Sequence, residues 1–310
     1  MTRRTRLGAG LLVVLAAGGP PLACQSAPAP APAPAAAGLP MLEALAVLAA
    51  DSMEGRATGT PGGERARRFL LAQLRAIGVN PVGGQFEHPF EFTRQDATVR
   101  GVNLLAQVRG TSAPGRYLVI TAHYDHVGIR QGSTYNGADD NASGTAALLE
   151  LARRLKAQPL RHSVILALVD AEEMGLRGAA AFVANPPVAK DAIVMNLNMD
   201  MISRSPEGVL WAAGATHYPQ FKPLLESVAA TAPVTLKLGH DTPGAKPGDD
   251  WTFSSDHGPF HRAGIPFLYF GVEDHPGYHQ PSDDVEMITP AFYANAVETI
   301  WRVLRAVDQP

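Results

Sequence analysis

Thiol chemistry is almost absent from this chain. Cys24 is the only cysteine among 310 residues, which excludes an intramolecular disulfide. Charge is sparse: Asp, Glu, Lys and Arg make up 18%, the formal net charge is −3, and nothing in that balance favours a nucleic acid or another polyanion. The apolar run Leu11 to Ala17 is too short to cross a bilayer as a mature helix. H-E-x-x-H, G-x-S-x-G, P-loop and G-x-G-x-x-G patterns are missing. That removes the helical zinc motif, the nucleophile elbow, the phosphate cradle and the dinucleotide fingerprint. No internal repeat is visible. The length, with 46% hydrophobic residues, suits one large α/β domain or two small ones.

The N-terminus reads as an export segment. Arg3, Arg4 and Arg6 precede the apolar run, and small residues follow around Ala23, so residues 1–24 have the three regions of a signal peptide in order. Pro21-Leu22-Ala23-Cys24 resembles the lipobox of bacterial lipoproteins, with Pro21 where an aliphatic residue is usual. That resemblance implies lipidation of Cys24 and a periplasmic or outer-membrane lipoprotein. Plain signal cleavage and secretion is the alternative. Residues 25–40 form an Ala/Pro-rich linker, whose composition predicts an extended, semi-rigid spacer.

Beyond the linker the patterning alternates. Helical spacing covers "GGERARRFLLAQLRAIG" and stops at Gly78. Strand-like segments follow around Gln85–Phe92 and Val102–Val108. "RYLVITAHYD", "HSVILALVD", "DAIVMNLNMD" and "GIPFLYFGV" read as buried strands. Helical patterns lie between and after them: "SGTAALLELARRLKAQ" with Ser143 as candidate cap, "RGAAAFVAN", "HYPQFKPLLESVAATA" and Thr289 to Val307. Apolar strands alternating with helices predict a three-layer α/β/α sandwich around a mixed, mostly parallel sheet. Ligands of such sheets bind at the carboxyl ends of the strands. Three strands end there in His123/Asp125, Glu172/Glu173 and Asp200.

The adjacent glutamates pose a problem, because two carboxylates at a buried strand end repel each other and are costly to desolvate. Other His/Asp/Glu-rich segments join them: "TAHYDH" (121–126), "NGADDNASG" (136–144), "NMD" (198–200) and "GYHQPSDD" (277–284). Imidazole and carboxylate without thiolate suit zinc or a similar divalent ion in an incompletely saturated site. Cations placed among crowded acids turn their repulsion into attraction.

These five segments, in this order, resemble the M28 family of co-catalytic zinc aminopeptidases, and so does "LAADSMEGRATGTPGGERARRFLLAQLRAIGV" ahead of them. The resemblance implies that residues 41–310 are a zinc peptidase catalytic domain holding two Zn²⁺. His123 and Asp200 would bind one ion, Glu173 and His279 the other, and Asp140 would bridge them. Asp125 would orient the His123 imidazole. Glu172 would be the general base, and Tyr278 would stabilise the tetrahedral oxyanion. The Asp140–Asn141 peptide would be cis. His279 is preferred to His275 as ligand, and His126 reads as a rim or structural residue. Asp256 and His257 read as structural or substrate-proximal, and residues 239–255 as a long loop over the site.

The implied substrates are peptides with a free N-terminus. No arginine cluster lies near the motifs to clamp a terminal carboxylate, and helix-surface roles are expected for Arg177 and Arg262. The rival readings are a glutaminyl cyclase-type transferase of the same fold, a carboxypeptidase or dipeptidase of the same family, and a non-enzymatic zinc-binding envelope protein. The export reading has its own test. Wild-type protein fractionates with membranes, and Cys24→Ser releases it or blocks its processing. Soluble wild type with an unmodified N-terminus would establish plain secretion.

Overall fold

The computed structural model describes residues 1–2, 40–246 and 248–309. The expected signal peptide from residue 3 onward, Cys24 and the expected linker up to residue 39 lie outside them.

Helices α1 (Pro40–Leu48) and α2 (Pro61–Ile77) come first. Thr60 caps α2 by accepting the Gly63 amide at 3.3 Å, Pro61 occupies the first turn, and Gly78 ends the helix in the left-handed region at φ 77°. Strands β1 (Asn80–Pro81), β2 (Glu87–Arg94), β3 (Ala97–Val108) and β4 (Ala113–His123) follow. A small hairpin, β5 (Gly128–Arg130) and β6 (Ser133–Tyr135), stands apart from the main sheet. Next come α3 (Gly144–Ala157), β7 (His162–Val169), α4 (Arg177–Ala184) and β8 (Ile193–Met199). The chain closes with β9 (Val209–Ala213), α5 (Lys222–Ala229), β10 (Thr235–Leu238), α6 (His257–Arg262), β11 (Phe267–Gly271) and α7 (Pro290–Val307).

The nine-stranded sheet runs β1-β3-β7-β4-β8-β11-β9-β10, with β2 also paired to β3. Its four central strands, β7, β4, β8 and β11, are mutually parallel. The β3–β7 and β9–β11 pairings that flank them are antiparallel. The sheet is therefore mixed, as expected, with helices on both faces. Side-chain alternation shows why. Leu118, Ile120 and Ala122 of β4 pack with α1, α2, α3, α5 and α7 on one face, while Val119 packs with α4 and α6 on the other.

Seven of the labelled elements, α1, β1, β5, β6, β9, β10 and α6, escaped the sequence pattern. α1 follows directly on the Ala/Pro tract, and β9 and β10, of five and four residues, are too short for a clear period. The helix expected over His217–Ala232 is broken into a 3₁₀ turn at Pro219–Phe221 and the shorter α5. Ser143 does not cap α3. Its hydroxyl donates to the Asp139 carbonyl at 2.7 Å and accepts the Ile202 amide at 3.1 Å. Asn141 Oδ1 takes the cap position instead, accepting the Gly144 amide at 2.8 Å.

The buried sheet carries the stability. Leu166, with no exposed surface in β7, is the most direct probe. Leu166→Ala lowers unfolding free energy by about 2–5 kcal/mol in urea titrations. Val47→Ala, at a side chain 39% exposed, changes it by no more than ~0.5 kcal/mol.

Candidate active site

The ends of β4, β7 and β8 deliver the expected residues to one place. β4 ends at His123, and its carbonyl accepts the Thr145 hydroxyl of α3 at 2.7 Å. β8 ends one residue before Asp200, whose Oδ2 accepts the Ser255 hydroxyl at 2.7 Å. After β7 the strand alternation breaks, because Ala171 lies in the left-handed region at φ 59°. That turn lets Glu172 and Glu173 reach the same recess. Asp125 holds it in place: its carboxylate accepts the Glu172 amide at 3.1 Å and the Glu173 amide at 3.3 Å. Met201 and His279 also have positive φ, at 57° and 51°. Backbone outliers of this kind gather at functional sites.

Asp140 stands between two groups of donors. Its Oδ1 is 3.4 Å from His123 Nε2, which is in turn 3.2 Å from Asp200 Oδ1. Its Oδ2 is 3.1 Å from His279 Nε2, which is 3.2 Å from Glu173 Oε2. The Asp140–Asn141 peptide is cis. His275 is elsewhere, 3.1 Å from Asp139 Oδ2 and 3.3 Å from Arg204.

These separations test whether a metal fits. Two ligands about 2.0–2.2 Å from one tetrahedral ion stand roughly 3.4 Å apart, and the four pairs above span 3.1–3.4 Å. Asp140 Oδ2 and Glu173 Oε1 are buried without a hydrogen-bond partner among the described residues. Unpaired buried acceptors of this kind are costly, and a cation beside them would complete them. The donor set fits zinc.

Asp125 reaches His123 in a different manner from that implied. His123 Nδ1 is 3.1 Å from the Asp125 carbonyl oxygen but 3.7 Å from its carboxylate, which serves the glutamate amides instead. Several residues here carried no expectation. Asp283 accepts the amides of Asp139 and Asp140 at 3.0 Å each, fixing the segment that carries Asp140. Arg56 is fully buried and donates to the carbonyls of Leu48, Tyr124, Asn136 and Gly137. Both had a visible signal, "PSDD" and "MEGR", but no periodicity assigns a partner to such residues.

The electrostatics follow from burial and crowding. Burial raises Glu172 well above the usual carboxylate range, reinforced by Asp200 and Asp256 and opposed by His123. Burial pushes Asp256 to about 8. For Glu173 burial acts upward too, but His126 and His279 outweigh it and hold the carboxyl far below its ordinary value. Burial lowers His279, yet Asp140 and Glu173 outweigh it and lift the imidazole to about 10. Tyr278 rises well above 10 through burial and the nearby Asp140, so it keeps its proton, and its ring stacks on His279 at 4.1 Å.

A cavity of about 140 Å³ opens on these groups. Asp140, Glu172, Asp200, Tyr278 and His279 line it together with Met201, Trp251 and Tyr269. Gly248, Trp251 and Ser254 come from the 239–255 loop or its end. Arg177 and Arg262 stay outside, lying over the rings of Phe92 and Phe253 at 5.5 and 4.5 Å.

Residues 103–304 match the model of Peptidase family M28. The chain belongs to that family. It is 34% identical over 179 residues to aminopeptidase YwaD of Bacillus subtilis (strain 168), a match covering 55% of this chain and 36% of YwaD. The chain spans less than two thirds of the length of the curated relatives it matches first. Its fold is that of an aminopeptidase from Aneurinibacillus sp. strain AM-1, with TM-score 0.68, 15% identity, and coverage of 87% of this chain and 93% of that one. It is equally that of the Porphyromonas gingivalis glutaminyl cyclase, with TM-score 0.69, 21% identity, and coverage of 85% and 97%.

The shifted groups set how this M28 domain responds to pH without metal. The raised His279 value makes its contribution complete below 6.5 and lost as pH climbs to about 10. Asp256 acts in the same direction, costing stability as pH rises from 3.8 through about 8. The melting temperature of chelator-treated protein therefore falls between pH 6.5 and 10, and added zinc flattens that fall because cations replace the protons. A metal-free melting temperature that rises over this range would contradict these assignments.

Proposed function

We propose that this domain is a co-catalytic di-zinc aminopeptidase that removes the N-terminal residue of peptides. His123, Asp140 and Asp200 would hold one ion, and Asp140, Glu173 and His279 the other. Bound zinc supplies a water of lowered pKa and polarises the scissile carbonyl. The observation that carries this reading is Asp140, whose two oxygens face different imidazole–carboxylate pairs at ligand-like separations.

The chain's own groups supply the rest. Glu172 lines the cavity, and its raised affinity for protons suits a base that takes one from the attacking water and passes it to the leaving amine. Tyr278, which keeps its proton, can donate to the oxyanion as the carbonyl carbon becomes tetrahedral. The free α-amine finds acidic groups in the cavity, whose lining among the described residues contains no arginine or lysine to clamp a terminal carboxylate. Together with the N-terminal pattern read as an export segment, these features support a secreted or envelope-anchored exopeptidase.

Aminoacyl-nitroanilides and matched peptides test the reading. N-acetylation abolishes cleavage while C-terminal amidation barely changes it, and Gln-peptides are hydrolysed rather than cyclised. Glu172→Gln keeps its metal yet loses about 10²-fold or more in turnover, the usual span of general-base catalysis being 10²–10⁴. Glu173→Gln loses metal at one site. Cleavage of acetylated peptide at the rate of the free one would remove the aminopeptidase assignment. Pyroglutamate formation without hydrolysis would replace it with the transferase.

A further inference from the structure

His126 lies outside the five ligands implied above, yet its surroundings are those of a ligand. It follows Tyr124-Asp125 just past β4, and its side chain is fully buried. Nδ1 lies 2.8 Å from Glu173 Oε1 and 3.7 Å from Asp140 Oδ2. Despite that approach, both ring nitrogens lack a hydrogen-bond partner among the described residues, and so do Glu173 Oε1 and Asp140 Oδ2. Three buried polar groups left unpaired side by side share one missing partner. An isolated buried imidazole would be costly.

The ring is also held in place. Gly137 sits against it at φ 57°, and a Cβ there would come within 2.5 Å of His126 Cδ2. The His279 ring lies edge-on at 5.7 Å between centroids, on the same Asp140–Glu173 pair. His126, Asp140 and Glu173 can each present a ligand atom within 4.8 Å of the others.

Resting on the di-zinc reading, we propose that His126 Nδ1 is a direct ligand of the second ion. That donor set becomes His126, Asp140, Glu173 and His279. Four protein ligands saturate a zinc site, and three leave a position open. With the larger donor set, the second ion would be the more tightly held of the two. The first equivalent of zinc goes to the His126 site.

Zinc X-ray absorption on wild-type chain loaded with one equivalent tests this without any substitution. Scattering from two imidazoles is expected, against one if His126 merely donates a hydrogen bond to Glu173. A second measurement uses His126→Cys in a Cys24→Ser background, so that position 126 carries the only thiol. Cobalt added to this variant gives a thiolate-to-metal charge-transfer band in the near ultraviolet only if the side chain at 126 coordinates. His126→Gln should weaken the second site by more than the 10–100-fold that an outer-shell partner costs.

One imidazole in wild type, or cobalt bound with no thiolate band, overturns the His126 assignment and leaves the di-zinc reading standing. Wild type that takes up no zinc overturns both.

Discussion

Asp140, Glu172, Glu173 and Asp200 are brought together with His123, His126 and His279 in one largely buried recess, and the mutual repulsion of the carboxylates governs what surrounds them. Buried charges are screened less than charges in water, and at a few ångströms each uncompensated pair costs several kcal/mol even at an effective dielectric of about 20. Part of the compensation is built in. Asp125 and Asp283, themselves buried, are satisfied by pairs of backbone amides, those of Glu172 and Glu173 and those of Asp139 and Asp140. Asp139 accepts the Ser203 amide and hydroxyl at 2.7 Å. Asp140 Oδ2 and Glu173 Oε1 are left without such donors among the described residues, and cations there would complete the balance.

Arg56 shows how far that balance extends. Among the described residues its guanidinium has no carboxylate partner; it binds backbone carbonyls, and burial lowers it to about 10. A fixed positive charge beside the acidic recess offsets part of the repulsion at all working pH values. Its bonds also tie the segment between α1 and α2 to Tyr124 on one side of the site and to Asn136 and Gly137 on the other. The N-terminal arm is thereby part of the frame that positions Asp140.

How much of this was legible in the sequence follows the same physics. Buried parallel strands print long apolar runs, so β4, β7, β8 and β11 could be placed, and the acids at their ends stood out against them. β9 and the edge strand β10 are too short to print a period. Asp140 was found through its motif, because turn chemistry explains Asp-Asn-Ala-Ser as readily as a ligand does. The pairing of Asp125 with the glutamate amides depends on Ala171 adopting positive φ, which no side-chain pattern announces. His126 reads from the sequence as a rim or structural residue, whereas in the fold it is enclosed beside Glu173.

The demand for two positive centres is the claim on which the rest depends. Equilibrium dialysis of chelator-treated protein against zinc, read by elemental analysis, measures it directly. Two equivalents per chain are expected, with Asp200→Asn retaining about one and Asp140→Asn failing to retain both. A single equivalent in wild type, unchanged by Asp200→Asn, would show that one cation suffices and that Asp140 does not bridge.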